Sequence, residues 1–232
     1  MIKRILDAFE KNGIDITEKQ AEQFSTYCEF MLEYNEKVNL TAVTEVDEVI
    51  EKHFIDSALG ASLIKEKATC IDVGTGAGFP GVPLAIMRPD IKVCLVDALN
   101  KRIVFLNELI EKTGLMNVYT IHGRSEDLGK NEKMRHKFDY AFSRAVARMN
   151  ILLEYDLPFV KQGGYMLAWK GPQVYDEVAE AENALKIIGG KLEKIQVSGL
   201  KDSEHYIAII KKIKDTPQKY PRQAGMLKKK PL

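Results

Sequence analysis

Residues 69–88 join a short β-type run to a glycine-rich turn, and this segment constrains the fold more than any other. The run ends at Val73, and glycines follow at Gly74, Gly76 and Gly78. Because glycine lacks a Cβ atom, the backbone there can take unusual φ and ψ angles, and a ligand can lie directly against it. A parallel strand turns into a helix in this way around a nucleoside cofactor.

The spacing of the glycines indicates which cofactor binds. A pyrophosphate-binding fingerprint needs its third glycine at position 79, but that residue is Phe79 and the third glycine is Gly78. Gly-x-Gly-x-Gly suits S-adenosylmethionine, which has no pyrophosphate to bind. Phe79 is predicted to cover the cofactor. The alternative is a tight turn in an ordinary α/β domain.

A carboxylate strengthens the prediction of a nucleoside site. The next strand-like run, 91–96, is followed by Asp97. An acid at the end of the second strand can accept hydrogen bonds from the ribose hydroxyls of a bound nucleoside. A solvated loop residue is the alternative for Asp97 taken alone. Together, the glycines and this acid predict a nucleoside site.

Strands and helices alternate after residue 65, which predicts an α/β fold with a largely parallel sheet. The region 1–65 has helical periodicity throughout, so it is predicted to be an N-terminal helical extension. A short loop, 198–203, separates the last two strands, which are therefore predicted to be an antiparallel hairpin. Seven strands that end in such a hairpin match the Rossmann-like sheet of class I methyltransferases. The predicted strands are 70–73, 91–96, 117–121, 138–143, 164–169, 192–197 and 205–212, and the predicted helices are 81–87, 100–113, 148–156 and 173–188.

The charge pattern, the length of the apolar runs and the cysteines predict where in the cell the protein is located. Charged residues in 1–7 stand where a signal peptide needs an apolar core, and the longest uncharged run, 73–87, is too short to span a bilayer. The three cysteines form no CxxC pair and are predicted to be buried free thiols of a cytosolic protein. The four histidines are scattered, so no metal site is predicted. We expect a cytoplasmic protein without a membrane partner.

The formal net charge of +1 conceals a strongly basic end of the chain. Residues 211–232 contain eight Lys or Arg and one Asp, a net +7, which leaves −6 for the rest because +1 minus +7 is −6. Such a segment is typical of a protein that binds a polyanion. A disordered, solubilising tail is an equally good interpretation. The basic residues are Lys211, Lys212, Lys214, Lys219, Arg222, Lys228, Lys229 and Lys230.

Residues near the predicted strand ends narrow the chemistry. The fourth strand is followed by Ser-Arg-Ala-Val at 143–146, not by the Asn/Asp-Pro-Pro-aromatic motif of enzymes that methylate exocyclic amines. Methylation at pyrimidine C5 needs a cysteine nucleophile, and no cysteine is suitably placed. The remaining target is an atom that is already nucleophilic, such as guanine N7, for which alignment suffices. No catalytic residue is therefore predicted, and Arg144 is a positioning residue for the cofactor carboxylate or an RNA phosphate, unless it forms a surface ion pair.

Three blocks of sequence resemble the bacterial 16S ribosomal RNA guanine-N7 methyltransferase G family, formerly called glucose-inhibited division protein B. They are YNEKVNLT at 34–41, HFIDS at 53–57 and IDVGTGAGFPGVPLA at 71–85. The resemblance continues to YPR at 220–222. Tyr34 replaces the family's usual Trp, and Gly-Met-Leu at 225–227 replaces its usual Gly-Thr-Pro.

The resemblance implies a function and a set of residues. It implies methylation of guanine N7 in 16S rRNA, either as RNA or within the small ribosomal subunit, with S-adenosylmethionine as cofactor. The family's cofactor positions fall on Gly74, Phe79, Ser125, Glu126 and Arg144. In the predicted topology Ser125 and Glu126 follow the third strand and lie beside the adenine of the cofactor. A polar loop without a role in binding is the alternative interpretation of these two residues.

Two further hypotheses stay open at this point: a small-molecule methyltransferase, and a non-catalytic RNA-binding protein that retains a cofactor pocket. His53 and Asp56 share a helix face, where they either orient RNA or cofactor or tie the extension to the sheet.

The predicted division of the chain is a helical extension (1–65), a methyltransferase domain (66–214) and a basic tail (215–232).

Overall fold

The computed structural model describes residues 1–200 and 204–232, and for residue 228 the backbone only. Within these residues one sheet is formed by β1 (Thr69–Val73), β2 (Lys92–Asp97), β3 (Val118–His122), β4 (Phe138–Arg144), β5 (Val160–Lys170), β6 (Gly190–Val197) and β7 (Tyr206–Lys212). Their order across the sheet is β3-β2-β1-β4-β5-β7-β6.

The predicted sheet and its terminal hairpin are confirmed. Neighbouring strands from β3 to β5 are parallel, whereas β7 is antiparallel to both β5 and β6. Each predicted strand is present, and β5 begins four residues earlier than expected, at Val160. Part of the predicted hairpin loop, 201–203, lies outside the described residues.

Helices cover both faces of this sheet, and the helical extension is confirmed. They are α1 (Ile2–Lys11), α2 (Glu18–Val38), α3 (Val46–Val49), α4 (Asp56–Ala58), α5 (Gly81–Met87), α6 (Asn100–Thr113), α7 (Ser125–Leu128), α8 (Met149–Asp156), α9 (Val174–Glu180), α10 (Glu182–Ile188) and α11 (Ala224–Lys229). A π-helical stretch, Ile50–Ile55, joins α3 to α4.

The prediction of a single helix over 173–188 is wrong. Ala181, with ψ of 5°, separates α9 from α10. That break lets both halves pack against α8.

The sheet separates two apolar clusters, because successive side chains of a strand point to opposite faces. In β1, Cys70 belongs to the cluster shared with the N-terminal helices, α5 and α6. Ile71 and Val73 belong to the cluster shared with α8, α9 and α10. The extension therefore contributes directly to the core on one face of the sheet, and the three-part division at residues 65 and 214 stays a prediction. All three cysteines are free and buried, as predicted.

The basic end of the chain is not a uniform solvated tail, which corrects the interpretation of all of its charge as a disordered, solubilising segment. Lys211 and Lys212 belong to β7. Lys212 is fully buried; its Nζ donates to Leu157 O at 2.8 Å and also to Thr216 Oγ1. Arg222 pairs with the buried Glu154. Lys212 and Arg222 are therefore engaged within the fold, and the side chain of Lys228 lies outside the described residues. Among the described residues, none of the helices combines the length and hydropathy needed to cross a bilayer.

Candidate active site

The glycine-rich loop follows β1 and is held by a buried carboxyl group. Its three glycines have φ angles of +71°, +62° and +106° in chain order, a region that residues with a side chain rarely adopt. Asp72 accepts hydrogen bonds from Thr75 Oγ1 at 2.7 Å and from the Gly81 N–H at 2.8 Å. Burial raises the pKa of Asp72 to about 7. One side chain thus fixes the beginning and the end of the loop.

Asp97 lies at the carboxyl end of β2 and is almost fully buried. Its Oδ2 accepts from the Gly76 N–H at 3.0 Å and from Arg102 Nη1 at 3.1 Å, and its Oδ1 accepts from the Leu99 N–H at 2.9 Å. A carboxylate has about four lone-pair positions. Three protein donors therefore leave room for one more, such as a ribose hydroxyl.

A cavity of about 210 Å³, here called the smaller cavity, opens beside these groups. The predicted residues Gly74, Asp97, Ser125 and Glu126 all line it. Ser125 Oγ donates to Tyr155 O at 2.8 Å, which holds α7 against α8. Carboxylate acceptors and a glycine backbone in one cavity fit the nucleoside part of S-adenosylmethionine.

The other predicted loop residues divide between two environments. A Cβ atom on Gly76 would have no atom within 4 Å, so this glycine borders open space. A Cβ atom on Gly78 would lie 2.7 Å from Tyr27 Oη, so this glycine is needed for packing against the extension. The Phe79 ring also faces the extension, stacked on Tyr27 at 5.3 Å and lying outside both cavity linings. The ring therefore has a packing role, and the expectation that Phe79 covers the cofactor stays a prediction, as does any cofactor contact of Gly78.

A second cavity of about 620 Å³, the larger cavity, adjoins the first. Val146 lines both, and a Cβ atom on Gly74 would lie 3.1 Å from Val146 Cγ2. The preceding Ala145 has φ of +57°, a strained conformation that surrounding contacts must impose. Ligand sites usually occupy about 300–1,000 Å³, so the two cavities together have room for a cofactor and a target group.

Arg144 ends β4 and joins the sheet to the N-terminal extension. It donates to Lys52 O at 3.1 Å, to His53 Nδ1 at 3.0 Å and to Asp56 Oδ2 at 3.4 Å. An arginine side chain only donates, so His53 Nδ1 is the acceptor and its Nε2 carries the hydrogen, 3.1 Å from Thr41 Oγ1. Burial, reinforced by Arg144, lowers the pKa of His53 to about 4. Arg144 therefore does not form the surface ion pair considered from the sequence. It belongs to a largely buried cluster that lines the larger cavity.

Asp56 is the centre of that cluster. Its side chain is 2% exposed and lies between Arg144 and His205, whose Nδ1 is 3.1 Å from Asp56 Oδ1. The Trp169 Nε1–H donates to the backbone oxygen of Asp56 at 3.0 Å. Of the two roles considered for His53 and Asp56, the contacts establish the tie between extension and sheet. Both residues also line the larger cavity, and a role in orienting RNA or cofactor stays a prediction.

Lys170 and Glu177 hold the loop that carries Val146. Lys170 Nζ donates to Ala147 O at 2.7 Å and to Glu177 Oε2 at 2.6 Å. The same Glu177 oxygen accepts from the Met149 N–H at 2.9 Å. Lys170 is therefore engaged within the protein, neither free for RNA nor simply solvated. One ion pair thus fixes this short loop where it enters α8.

Lys170→Met is expected to slow methyl transfer by about 10- to 100-fold at saturating RNA, because a displacement of about 1 Å at a reacting group has effects of this size. The methionine keeps the apolar stem but removes both donors to Ala147 and Glu177. Single-turnover methylation measures the rate, and calorimetry should show unchanged S-adenosylhomocysteine binding because Lys170 does not line the smaller cavity. Lys161→Met is the matched control, because Lys161 is an exposed lysine of the same strand and its partner Asp139 also pairs with Lys65. Equal rates for both variants would contradict a positioning role for Lys170.

Several residues of these cavities were not singled out from the sequence. Val146, Glu177 and His205 carry no local motif, and only the chain fold places them together. Ala224, from the C-terminal part of the chain, lines the smaller cavity. In the sequence, the one indication of a site at these residues is the position of 143–146 at the end of a predicted strand.

Comparison with known proteins assigns the chain to a family. The family model for rRNA small subunit methyltransferase G, GidB, matches residues 20–207. The chain belongs to this family. The rRNA small subunit methyltransferase G of Alkaliphilus metalliredigens is 47% identical over 230 residues, covering 97% of this chain and 96% of that protein. The Lactobacillus acidophilus protein of the same name is 49% identical over 228 residues, with 96% and 95% coverage.

Solved structures agree in fold. A fibrillarin pre-rRNA processing protein of Methanococcus jannaschii has a TM-score of 0.54 at 16% identity, over 69% of this chain and 76% of that one. A SAM-dependent methyltransferase of Aquifex aeolicus has a TM-score of 0.52 at 22% identity, over 70% and 91%. The predicted class I fold is confirmed. Membership of the methyltransferase G family confirms the predicted enzyme class and S-adenosylmethionine as cofactor.

Proposed function

We propose that this methyltransferase G family member methylates N7 of a guanine in bacterial 16S rRNA. The nucleoside part of the cofactor would occupy the smaller cavity, and the target guanine would enter the larger one. The observation that supports this most directly is the meeting of the two cavities at Val146. A substrate in ribosomal RNA would also place the protein in the cytoplasm, as the sequence predicts.

The charge of the larger cavity supports an RNA substrate. Four cations line it, Lys52, Arg144, Arg148 and Lys170, against the carboxylates of Asp56 and Glu177. Lys52 and Arg148 pair with acids outside the lining, Glu48 and Glu180, and these pairs are about half exposed. Exposed ion pairs contribute about 0–1 kcal/mol. Phosphate groups of RNA can therefore displace these acids at little cost.

Two groups of the larger cavity that could serve as a general base, His53 and Glu177, are already engaged. S-adenosylmethionine supplies an electrophilic methyl group, and guanine N7 carries a lone pair and no proton. His53 uses both ring nitrogens in contacts with Arg144 and Thr41. Glu177 accepts from Lys170 and the Met149 N–H. The described residues thus suit a mechanism in which the protein binds, aligns and excludes water, rather than one in which it removes a proton.

The decisive test is transfer of a labelled methyl group from S-adenosylmethionine to purified small subunits and to protein-free 16S rRNA. Digestion to nucleosides and mass spectrometry should identify 7-methylguanosine. Label in another nucleoside would overturn the assignment of N7. Label in small molecules alone would favour a small-molecule methyltransferase, and binding of RNA without any transfer would favour a non-catalytic protein.

The rate of the chemical step is expected to be independent of pH between about 6 and 8, because N7 needs no deprotonation. His53, with its pKa lowered to about 4, is neutral across this range. His205 is the imidazole best placed to accept a proton, since it lies beside Asp56 and is 40% exposed. His205→Gln should therefore leave the single-turnover rate and its pH profile nearly unchanged.

A rate that rises with pH and loses this dependence in His205→Gln would contradict N7 as the target.

Asp72→Asn is the control for titration within the glycine-rich loop, because it removes the ionisable group that holds this loop. The Asp72 pKa is raised to about 7 by burial, so ionisation destabilises the folded protein as the pH rises from about 4 to 7. That effect should appear in unfolding experiments and in cofactor affinity rather than in the chemical step.

A further inference from the structure

The C-terminal segment, residues 216–232, packs against the two helices that line the smaller cavity. Gly129, which follows α7, is so close to Pro221 that a Cβ atom would lie 3.1 Å from Pro221 Cγ. Buried Arg135 donates through Nη1 to Gly129 O at 2.7 Å and to Tyr220 O at 2.9 Å. The segment therefore adjoins α7, whose residues Ser125 and Glu126 line the cavity.

A buried ion pair fixes the same segment to α8. Arg222 Nε donates to Glu154 Oε1 at 3.0 Å, and the Arg222 backbone N–H donates to Glu154 Oε2 at 3.1 Å. The Glu154 side chain is fully buried and that of Arg222 is 18% exposed. The next residue of α8, Tyr155, lines the smaller cavity and accepts the hydrogen bond from Ser125. Arg222 thus anchors the C-terminal segment to the helix that carries Tyr155.

Beyond this anchor, the segment reaches the cavity itself. Ala224 lines the smaller cavity together with Gly74 and Asp97. Leu227, one turn later in α11, is completely buried, whereas Met226 is 54% exposed. The helix therefore presents one side to the protein, and that side includes the cavity.

We propose that the C-terminal segment is a cofactor-binding element that forms the outer wall of the S-adenosylmethionine cavity, with Ala224 in contact range of the nucleoside part. This inference rests on the proposed cofactor site. It differs from the expectation from the sequence, in which the basic tail captures RNA and cofactor binding is independent of it.

Ala224→Trp tests the proposal, with Met226→Trp as the matched control on the same helix. Calorimetry with S-adenosylhomocysteine should show affinity reduced by about tenfold or more in Ala224→Trp, equivalent to about 1.4 kcal/mol, because the indole would fill the cavity. Met226→Trp should bind like the unaltered protein, since that side chain already faces solvent. A chain ending at Gln223, which keeps Arg222 and its pair with Glu154, provides a second variant and should also bind more weakly.

The outcomes separate this inference from the proposed site. If Gly76→Val loses binding while Ala224→Trp and the shortened chain bind normally, the wall is refuted and the cofactor site stands. If Gly76→Val also binds normally, the cofactor site itself is misplaced. Equal losses in Ala224→Trp and Met226→Trp would refute a specific contact at Ala224. Loss of RNA affinity with unchanged S-adenosylhomocysteine binding in the shortened chain would restore the RNA-capture interpretation.

Discussion

Gly76→Val is expected to reduce S-adenosylhomocysteine affinity by more than about 100-fold, or about 3 kcal/mol, in a protein that still folds. Two effects add. The φ of +62° at Gly76 is unfavourable for a branched residue, and the new side chain would project into the open space beside the loop. Any shift of this backbone also disturbs the hydrogen bond from the Gly76 N–H to Asp97. Calorimetry on the purified variant measures the affinity.

Gly163→Val separates ligand exclusion from backbone strain. Gly163 has φ of +85° and, like Gly76, open space where a Cβ atom would lie. It sits near the beginning of β5, whereas the site lies at the carboxyl ends of the strands. The control should lose comparable stability and keep its affinity. Equal loss of affinity in both variants would mean that strain alone explains the result, and normal affinity in Gly76→Val would remove the loop from the site.

Arg144→Met is expected to lower the free energy of unfolding by about 3–5 kcal/mol, because it leaves a buried carboxylate without its arginine partner. Among the residues that the structure describes, His205 would then be the one remaining partner of the Asp56 carboxylate. The same substitution should slow methyl transfer by about 100-fold, since it releases the residues on either side of the larger cavity. Urea denaturation measures stability, and single-turnover methylation measures the rate.

The double variant Arg144→Met with Asp56→Asn distinguishes a structural from a functional role. Removing the charge of Asp56 should recover much of the lost stability, because no unpaired carboxylate remains. The rate should stay low if Arg144 positions the substrate. Recovery of both properties would show that Arg144 acts only through stability. Weaker S-adenosylhomocysteine binding would identify the cofactor as the group that Arg144 holds, and weaker RNA binding alone would identify a phosphate.

Much of the fold was predictable because it depends on short-range patterns. The helix predicted over 100–113 is α6, and it ends where Gly114 adopts φ of +63°, a conformation that glycine accepts without strain. Thr17 and Gln20, three residues apart in a spacing typical of a capping box, form one at the start of α2. The loop after β1 follows from glycine spacing alone. Each of these features depends on residues within about one turn of each other.

The basic end of the chain shows where composition stops being informative. A count of lysines and arginines cannot distinguish Lys212, buried on β7, from Lys229 on the exposed side of α11. The partner of Arg222 is Glu154, 68 residues away. The predicted tail therefore has the charge that was counted, but part of that charge is engaged within the fold. The same limit applies to Phe79, because nothing local in the sequence shows that its ring packs on Tyr27 of α2 and lies outside both cavity linings.

The sequence by itself determined the order of strands and helices along the chain, the position of the glycine-rich loop and the family. Tertiary structure decided which side chains meet: Gly76 with Asp97, 21 residues apart, and His53 with Arg144, 91 residues apart. His205 and Asp56 are separated by 149 residues. Local propensity acts over a few residues. These pairs form because the sheet brings the carboxyl ends of its parallel strands and the start of antiparallel β7 to one edge, and the extension packs across it.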